Sequence, residues 1–485
     1  MARSSMWMEA GLPADGQMND AVARPATGIV HLGLGAFFRA FGCVYIADAM
    51  AASGGDWGIV GVSLRSPDTR DALRLRDWHY TSVTLAPEGE QTRDITLLND
   101  VLVAPENPEA VLATMTDPGV RIVTLTVTEK GYCHNPATGK LNLDHPDIRH
   151  DLSRDLPMSA PGFLVRALAR RRAAGTPPFT VLTCDNLPNN GRLVREMVLQ
   201  LARQIDPQLA DWIATEGRFP STMVDRITPA TTQADIARVT ALTGIPDAAP
   251  VLHEPFSQWA VEDDFVGGTR PDLRAAGVEL VADVTAHEDM KLRMLNGTHS
   301  ALAYTGYLAG HETIADTVAD PDFAAYVRAL WSEISPAVTA PQGVSLTEYA
   351  DALMDRYANP AIRHRTWQIA MDGSQKLPQR ILGTVRDNLD AGRPIEGLCT
   401  AIAAWMRYVT GTDAAGQPID VRDPMADRLH ALAQSQDDPA GIVASLLSVA
   451  EIFPRDLAYR LQGPVSQAAT VIWQDGVRAA IKRAV

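Results

Sequence analysis

The chain has few cysteines for its length, with four among 485 residues. Cys43, Cys133, Cys184 and Cys399 are widely spaced, and no C-x-x-C pair occurs. This spacing carries no zinc signature and suits a reducing compartment. We therefore expect a metal-independent protein of the cytoplasm.

Long apolar runs and excess positive charge are also missing. No stretch approaches about 18 uncharged apolar residues, so no membrane span is expected. The start, MARSSMWMEAGLPADG, lacks the apolar core of a secretory signal, and none is expected. The net charge is −15 at pH 7. Nucleic acids and anionic membranes attract basic surfaces, so neither is expected as a partner, whereas a few local Lys and Arg residues suffice for a small anionic substrate.

The composition, 46% hydrophobic and 21% charged, is that of a globular protein, and the length calls for two or three domains. Short apolar segments alternate with helical segments in the first half of the chain. Such alternation predicts an α/β domain with a parallel, doubly wound sheet. The predicted strands are 28–35, 57–65, 120–128 and 179–186.

From Thr285 onward the periodicity is helical and strand candidates are scarce. We therefore predict a Rossmann-type domain over residues 1–284 and a mainly helical domain over residues 285–485. A ligand shared by both domains would lie at the carboxyl ends of the strands.

Gly33 and Gly35 follow the first predicted strand and precede the first helix. Glycines there let the backbone approach a dinucleotide pyrophosphate. The third glycine of the usual fingerprint is replaced by Phe38. The alternative is a tight glycine turn without a ligand.

The second predicted strand is followed by Asp68, at a position where an acid binds the adenosine ribose and favours NAD. Arg65 lies nearby and could instead meet the 2′-phosphate of NADP. NAD is the preferred interpretation, and an ordinary surface acid is the alternative.

A dense polar group lies between residues 288 and 299. At about 100° per helical residue, Glu288 lies about 60°, His299 about 80° and Asn296 about 140° around the helix from Lys291. A buried lysine can act as a base, while Asn and His donors can hold the reacting oxygen. The alternative is a snorkelling lysine with a Glu288 ion pair and a core histidine.

Asn186 ends the fourth predicted strand, where α/β folds present functional groups. It could supply another donor to the reacting oxygen. Its alternative role is a turn residue that caps the following helix.

These segments resemble the long-chain mannitol dehydrogenase family, which includes mannitol 2-dehydrogenases and fructuronate reductases. The resemblance covers nearly the whole chain in order. Its pieces are IVHLGLGAFFRA, TVTEKGYC, TCDNLPNNG, FPSTMVDRITP, EPFSQWAVEDDF, MKLRMLNGTHSALAYTGYLAGHETIADTV and RHRTWQIAMDGSQKLPQR.

The resemblance implies an expanded Rossmann-type domain, a helical domain, a nicotinamide cofactor and no metal. It assigns Lys291 as general base in alcohol oxidation and acid in ketone reduction. Asn186 and Asn296 correspond to donors around the reacting oxygen, His299 to a substrate-positioning residue, and Glu288 to an acid that gates proton exchange. The resemblance also places Asp225 and Lys376 near cofactor and substrate. The predicted cofactor-binding positions are Gly33, Gly35, Phe37, Arg39, Asp68, Glu129, Asp225 and Lys376.

Two histidines of the family pattern are absent from this chain. The family commonly has F-H-R-A-H-Q after the glycines, whereas Phe38 and Phe41 replace the two histidines here. Any polar contact from those positions is therefore in doubt, although the rings could pack against the cofactor loop.

The main division within the family is between neutral polyols and sugar acids. A sugar acid needs a cation for its carboxylate. Polyol enzymes tend to have T-E-G-G-Y where this chain has Lys130 in T-E-K-G-Y, and the segment Arg363-His364-Arg365 resembles fructuronate reductases. Lys130, Arg363 and Arg365 are the predicted carboxylate ligands, and His364 is a further predicted substrate-binding residue. The alternative is that some of these residues are surface charges or ligands of the cofactor phosphates.

The preferred function is reversible oxidation of D-mannonate to D-fructuronate with NAD, NADP being less favoured. The second choice is oxidation of a hexitol such as mannitol at carbon 2. A third is an inactive nucleotide-binding protein, supported only by the FFRAFG departure. A monomer or small homo-oligomer is expected.

Overall fold

A computed structural model of the chain describes residues 24–135, 138–413 and 416–485. The prediction about secretion concerns the amino-terminal segment, which lies outside these residues. Within the described ranges all strands precede residue 282. In chain order they are β1 Thr27–Leu32, β2 Gly58–Ser63, β3 Tyr80–Ala86, β4 Gly89–Ile95, β5 Leu98–Val103, β6 Ile122–Leu125, β7 His134–Asn135, β8 Lys140–Leu141, β9 Thr180–Thr183, β10 Thr222–Asp225, β11 Val251–His253, β12 Gln258–Glu262 and β13 Glu279–Val281.

The main sheet is parallel and has the order β5-β2-β1-β6-β9. The segments predicted as strands supply β1, β2, β6 and β9, which are almost fully buried because helices cover both faces. The edge strand β5 was not predicted, since Asn99 and Asp100 interrupt its apolar pattern. Strands β2 and β5 are added on one side of β1, and β6 and β9 on the other. This change in the direction of strand order leaves a crevice at the carboxyl ends of β1 and β6.

Smaller sheets enlarge this part of the molecule. They have the orders β11-β3-β4 and β10-β12-β13, and β7 pairs with β8 in a short hairpin. Helices of this region are Ala36–Ala40, Gly42–Ser53, Asp68–Arg74, Pro108–Thr116, Thr128–Gly131, Pro146–Ser153, Ala160–Ala173, Asn190–Ile205, Pro207–Glu216 and Gln233–Thr243, with a 3₁₀ turn at Val266–Gly268.

The remainder of the described chain is helical and has a continuous apolar core from Met290 to Ile481. The predicted fold class, a Rossmann-type sheet domain followed by a mainly helical region, is confirmed. The boundary at residue 285 stays a prediction. The helices are Thr285–Met290, Thr298–Leu308, Ile314–Ala319, Pro321–Ile334, Leu346–Tyr357, Thr366–Ala370, Gly373–Leu377, Gly383–Asp390, Glu396–Tyr408, Ala426–Gln434, Pro439–Leu447, Arg455–Asp475 and Val477–Arg483, with π-helical turns at Lys291–Gly297 and Pro378–Leu382 and a 3₁₀ turn at Ser335–Ala337.

One helical stretch, Ala36–Ser53, is long and apolar enough to cross a membrane by length and composition alone. Half of it is buried inside the fold, where it packs beside the main sheet. Burial of this kind is what a core helix of an α/β domain requires, so the stretch is weak support for a membrane span.

Candidate active site

The glycine turn after β1 lies at the carboxyl edge of the main sheet. Gly33 has a φ of +90°, and a Cβ on it would lie 2.3 Å from the carbonyl oxygen of Thr126. A side chain is therefore excluded there by the fold itself. A Cβ on Gly35 would meet nothing closer than 3.8 Å, so this residue leaves open space above the turn.

The glycine turn borders a cleft of about 650 Å³, which we call the glycine cleft. It joins the sheet edge to the first helices of the carboxyl-terminal part. Its lining includes Gly33, Gly35, Phe37, Glu129, Asn186, Asp225, Lys291, Asn296, His299 and His364. Side chains that were widely separated in sequence thus share one space.

The aromatic and basic residues after the turn are mostly internal. Phe38 stacks on His31 at a centroid distance of 3.5 Å, and Phe41 packs against Trp259. Both rings are fully buried, so the residues that replace the family's histidines act as core. Arg39 donates to the carbonyls of Gly35 and Ala249 at 3.3 and 2.5 Å, which ties the turn to the domain beneath it.

Asp68 begins the helix after β2 and is exposed, accepting a hydrogen bond from Ser66 at 2.9 Å. Arg65 is exposed next to it. Both residues lie at the carboxyl end of a strand adjacent to β1, where the adenosine ribose of a dinucleotide binds in Rossmann folds.

Asn186 is held in place by the buried residues on either side of it. Asp185 accepts backbone N–H groups from Val127 and Thr128 at 3.0 and 2.9 Å. Asn190 donates to the carbonyls of Asp185 and Thr222 at 2.9 Å each. The loop after β9 is thereby fixed to the ends of β6 and β10.

Lys291 lies almost fully buried between the two halves of the site. Its Nζ donates to Asn186 Oδ1 at 2.7 Å and to the carbonyl of Val224 at 2.5 Å. Burial lowers the pKa of Lys291, and the Arg356 and Arg380 charges lower it further, against the opposing effect of Asp225 and Glu288. A general base requires the neutral amine, and at a given pH this form is more populated here than for a lysine in water.

The helix carrying Lys291 is π-helical from Lys291 to Gly297. In such a turn hydrogen bonds run from i to i+5, so residues five apart lie on about the same face. The regular α-helical spacing placed Asn296 about 140° from Lys291. The wider π turn places Asn296 closer to the face of Lys291, and both side chains line the glycine cleft.

His299 is buried and packs between Tyr357 and His364, with centroid distances of 4.7 and 5.2 Å. Burial lowers the pKa of His299 well below its ordinary value, and nearby cations add to the shift. Burial likewise lowers the pKa of His364 to about 4. Both imidazoles are therefore neutral near pH 7 and can each donate one hydrogen bond.

Asp225 belongs to a buried ionic group. Arg356 donates to both Asp225 oxygens at 2.8 and 3.1 Å and to both Glu254 oxygens at 3.0 and 2.8 Å. Burial would raise the pKa of Asp225, but the charges of Arg356 and Lys291 outweigh that effect and hold it below its ordinary value. Asp225 therefore faces Lys291 as a carboxylate.

A second cleft of about 600 Å³, here called the outer cleft, opens on the other side of Lys291. Glu288 lines it and accepts the backbone N–H of Asn189 at 3.0 Å. Burial raises the pKa of Glu288 to about 6. Lys376 and Arg380 line this cleft too, while Glu129, Asn186, Lys291 and Asn296 border both clefts.

The cations expected to meet a carboxylate lie elsewhere. Arg363 and Arg365 retain 70% and 55% side-chain exposure and lie 3.5 and 3.6 Å from Glu312. Lys130 is exposed on the helix Thr128–Gly131. None of these three is among the residues that line either cleft, whereas His364 lines the glycine cleft.

Cys133, His145 and Asp147 bring one possible metal ligand each within 4.8 Å of one another. Burial raises the pKa of Cys133 to about 12, which opposes the thiolate form that binds metals. The group does not line either cleft.

Sequence reasoning missed Arg356, Arg380 and the Val224 carbonyl. Arg356 occurs in an ordinary amphipathic helix, where a charged residue predicts only a solvated face. Arg380 lies in a π-helical turn, which regular helical periodicity does not reveal. A backbone carbonyl leaves no sequence signal at all.

Family models match almost the entire described chain. The model for the mannitol dehydrogenase Rossmann domain matches residues 27–275, and the mannitol dehydrogenase C-terminal domain matches residues 283–472.

Full-length relatives agree with these matches. An uncharacterised oxidoreductase of Escherichia coli (strain K12) is 48% identical over 435 residues, covering 88% of this chain and 89% of the relative. D-mannonate oxidoreductase of the same organism is 43% identical over 478 residues, covering 96% and 98%. The solved ternary complex of Pseudomonas fluorescens mannitol 2-dehydrogenase with NAD and D-mannitol is 37% identical with a TM-score of 0.82, covering 95% and 94%. The chain therefore belongs to the mannitol dehydrogenase family of oxidoreductases.

Proposed function

We propose that the protein is an NAD-dependent oxidoreductase that interconverts D-mannonate and D-fructuronate. The observation that carries this proposal is the hydrogen bond from Lys291 Nζ to Asn186 Oδ1, in a cleft that the glycine turn also borders. A buried base beside a dinucleotide-binding turn fits dehydrogenation of an alcohol. Similarity to D-mannonate oxidoreductase over nearly the full length of both chains favours a sugar acid.

The residues of the cleft fit a nicotinamide dinucleotide. Gly35 leaves open space that a side chain would fill, directly above the glycine turn. Asp68 is the proposed partner of the adenosine ribose hydroxyls, which favours NAD over NADP. When bound, the nicotinamide supplies the hydride acceptor for the carbinol carbon.

In the oxidation direction, neutral Lys291 takes the proton of the substrate hydroxyl. Asn186 uses its carbonyl oxygen to accept from Lys291, so its amide N–H group remains free to donate to the substrate oxygen. Asn296 and neutral His299 face the same space and can stabilise the charge that develops on that oxygen.

In the reduction direction, protonated Lys291 returns the proton to the forming alkoxide. The lysine must then be recharged from solvent. Glu288 borders the outer cleft next to Lys291 and has its pKa raised to about 6 by burial, so it can carry that proton.

A substrate panel tests the proposal. Purified enzyme is assayed with D-mannonate, D-altronate, D-mannitol, D-sorbitol and D-arabinitol, each with NAD and with NADP. We expect the highest kcat/KM for D-mannonate with NAD. A preference for mannitol would assign the protein to the hexitol dehydrogenases, and equal use of NADP would overturn the role of Asp68.

A further inference from the structure

Two π-helical turns meet beside the proposed substrate space. One is Lys291–Gly297, and the other is Pro378–Leu382, where Pro378 lacks the N–H of a regular helix. A Cβ on Gly297 would lie 2.8 Å from the carbonyl oxygen of Arg380. Only glycine permits this approach, which places the Arg380 backbone directly against the helix that carries Lys291.

The Arg380 guanidinium reaches the same helix. It donates to Ser300 Oγ at 3.2 Å and, more weakly, to the Asn296 carbonyl at 3.5 Å. It is close enough to Lys291 and His299 to lower the pKa of each. Its charge therefore acts on the part of the site that holds Lys291 and His299.

Arg380 has no acidic partner within 4 Å among residues 24–135, 138–413 and 416–485. Neighbouring arginines differ in this respect. Arg293 pairs with Asp289 and Asp387, and Arg356 holds two carboxylates at once. A partly buried guanidinium with most of its donors unused is costly unless an anion completes it.

Lys376 lies one helical turn before Arg380 and borders the same cleft. Its Nζ donates only to the carbonyl of Ile369, at 3.1 Å, among the described residues. Burial lowers the pKa of Lys376 to about 8, and the Arg380 charge contributes to that shift. The two cations thus repel each other across a space that a single anion would neutralise.

Within the ranges that the structure describes, the acids that line the outer cleft form no ion pair with Arg380 or Lys376 within 4 Å. Glu288 is turned toward the Asn189 N–H, and Asp289 is paired with Arg293 at 2.6 Å. Asp372 is exposed at the cleft and forms no ion pair within 4 Å in the described part of the chain. Its charge acts on Lys376 without a direct contact.

We propose that Arg380, with Lys376 beside it, binds the carboxylate of a sugar acid whose reacting carbon lies at Lys291. This inference rests on the proposed function and names the specificity determinant within it. The carboxylate of D-mannonate is at the opposite end of its carbon chain from the hydroxymethyl group next to the reacting carbon, so the cation must be displaced from Lys291. Arg380 satisfies this requirement, and a guanidinium suits a planar carboxylate.

A cofactor phosphate is the competing anion for these two cations. The glycine turn that would receive the pyrophosphate borders the glycine cleft, whereas Lys376 and Arg380 border the outer cleft. Lys291 and Asn296 lie between them. The anion that the pair completes is therefore on the substrate side.

The test compares wild type with Arg380→Met, Arg380→Lys and the matched control Arg386→Met. Arg386 lies in the helix Gly383–Asp390, which directly follows the π turn that contains Arg380. It forms an ion pair with Asp456. Binding of D-mannonate and of uncharged D-mannonamide is measured calorimetrically with NADH present, so that no turnover is required. In parallel, kcat/KM is measured for D-mannonate and D-mannitol.

We expect Arg380→Met to weaken D-mannonate binding about 10- to 100-fold, the loss of a charge-assisted contact. D-mannonamide binding should change little, Arg380→Lys should retain part of the affinity, and Arg386→Met should behave as wild type. Equal losses for acid and amide would overturn the carboxylate role and identify Arg380 as a packing residue.

The two proposals fail separately. If wild type oxidises D-mannonate and Arg380→Met does so equally well, the carboxylate site is wrong and the function stands. If wild type oxidises only hexitols, yet binds D-mannonate through Arg380, the site stands and the proposed substrate is wrong. Absence of D-mannonate binding to wild type would overturn both.

Discussion

Lys291 donates a hydrogen bond to Asn186 at 2.7 Å, although 105 positions separate the two residues in sequence. One belongs to the helical part of the molecule and the other to the carboxyl edge of the main sheet. The contact orients the lysine amine toward the glycine cleft and assigns the Asn186 carbonyl oxygen to it. The amide N–H of Asn186 is then the group that can meet substrate.

Replacement of the proposed base should abolish turnover without unfolding the site. Lys291→Ala is expected to lower kcat by several orders of magnitude, since general acid–base catalysis contributes about 10²- to 10⁴-fold and the lysine also orients Asn186. NADH binding, followed by fluorescence, should survive. Lys482→Ala, at an exposed position paired with Asp322, serves as the control. Near-normal activity of Lys291→Ala would show that Lys291 is not the general base.

A negative charge introduced at position 186 should shift the pH range in which the enzyme oxidises its substrate. Asn186→Asp places a carboxylate within reach of Lys291 Nζ, which stabilises the ammonium form and raises the pKa of Lys291. Because oxidation needs the neutral amine, the limb of its pH–kcat/KM profile should move to higher pH.

Asn186→Ala is the matched control for that shift. Both variants lose the amide donor and hence rate, by about 10²-fold or more for an oxyanion donor. Only Asn186→Asp adds charge. If both variants had the same pH limb, Lys291 would not be the titrating base.

Glu288 should set the rate of proton exchange with solvent. Its pKa is raised to about 6 by burial, so the carboxylate is ionised at neutral pH and able to accept the proton that Lys291 has taken. Glu288→Gln should lower the plateau of kcat above pH 6 and remove the limb near pH 6.

The neighbouring Asp289→Asn is the control, because Asp289 is held by Arg293. Glu288 also raises the pKa of Lys291 by its charge. A purely electrostatic role would shift the Lys291 limb to lower pH and leave the plateau unchanged, an outcome that would exclude proton exchange through Glu288.

Arg356 should stabilise the contact between the two parts of the molecule. Arg356→Leu leaves Asp225 and Glu254 buried without their partner, which costs about 3–5 kcal/mol. The midpoint of urea unfolding should fall accordingly.

Arg363→Leu should change stability by no more than about 0.5 kcal/mol, since Arg363 is exposed and its ion pair is long. The triple variant Arg356→Leu, Asp225→Asn, Glu254→Gln should recover part of the loss because no buried charge remains. Equal effects of the two single arginine variants would contradict the structural role.

The parallel strands were predictable because both of their faces are covered. Burial on both sides leaves a continuous apolar run, as in β1 and β2, and such runs are visible in sequence. The edge strand β5 escaped notice, since one side of it is only partly covered and its pattern is mixed. In the small sheets, β10 and β11 are buried but have only four and three residues, too few to show a periodic pattern.

Only part of the candidate site could be predicted from the sequence. Ordered family motifs identified Lys291, Asn186, Asn296 and His299, and the structure places all of them on the glycine cleft. The same reasoning favoured Lys130, Arg363 and Arg365 as carboxylate ligands, and these are exposed and are not among the residues that line either cleft. The sequence shows that a residue is basic, but it does not show whether the side chain points into a cleft or into solvent.

By itself, the sequence determined the fold class and the family, and it predicted Lys291 as the base. These follow from local patterns and from motifs that keep their order along the chain. Tertiary structure alone decided which groups surround that base. Asn296 reaches the Lys291 face only because the helix widens into a π turn, and Arg380 approaches only because a second such turn packs against Gly297. Helical periodicity assumes a regular turn, and the pairing or isolation of a buried charge depends on residues distant in sequence, so neither could be obtained from spacing.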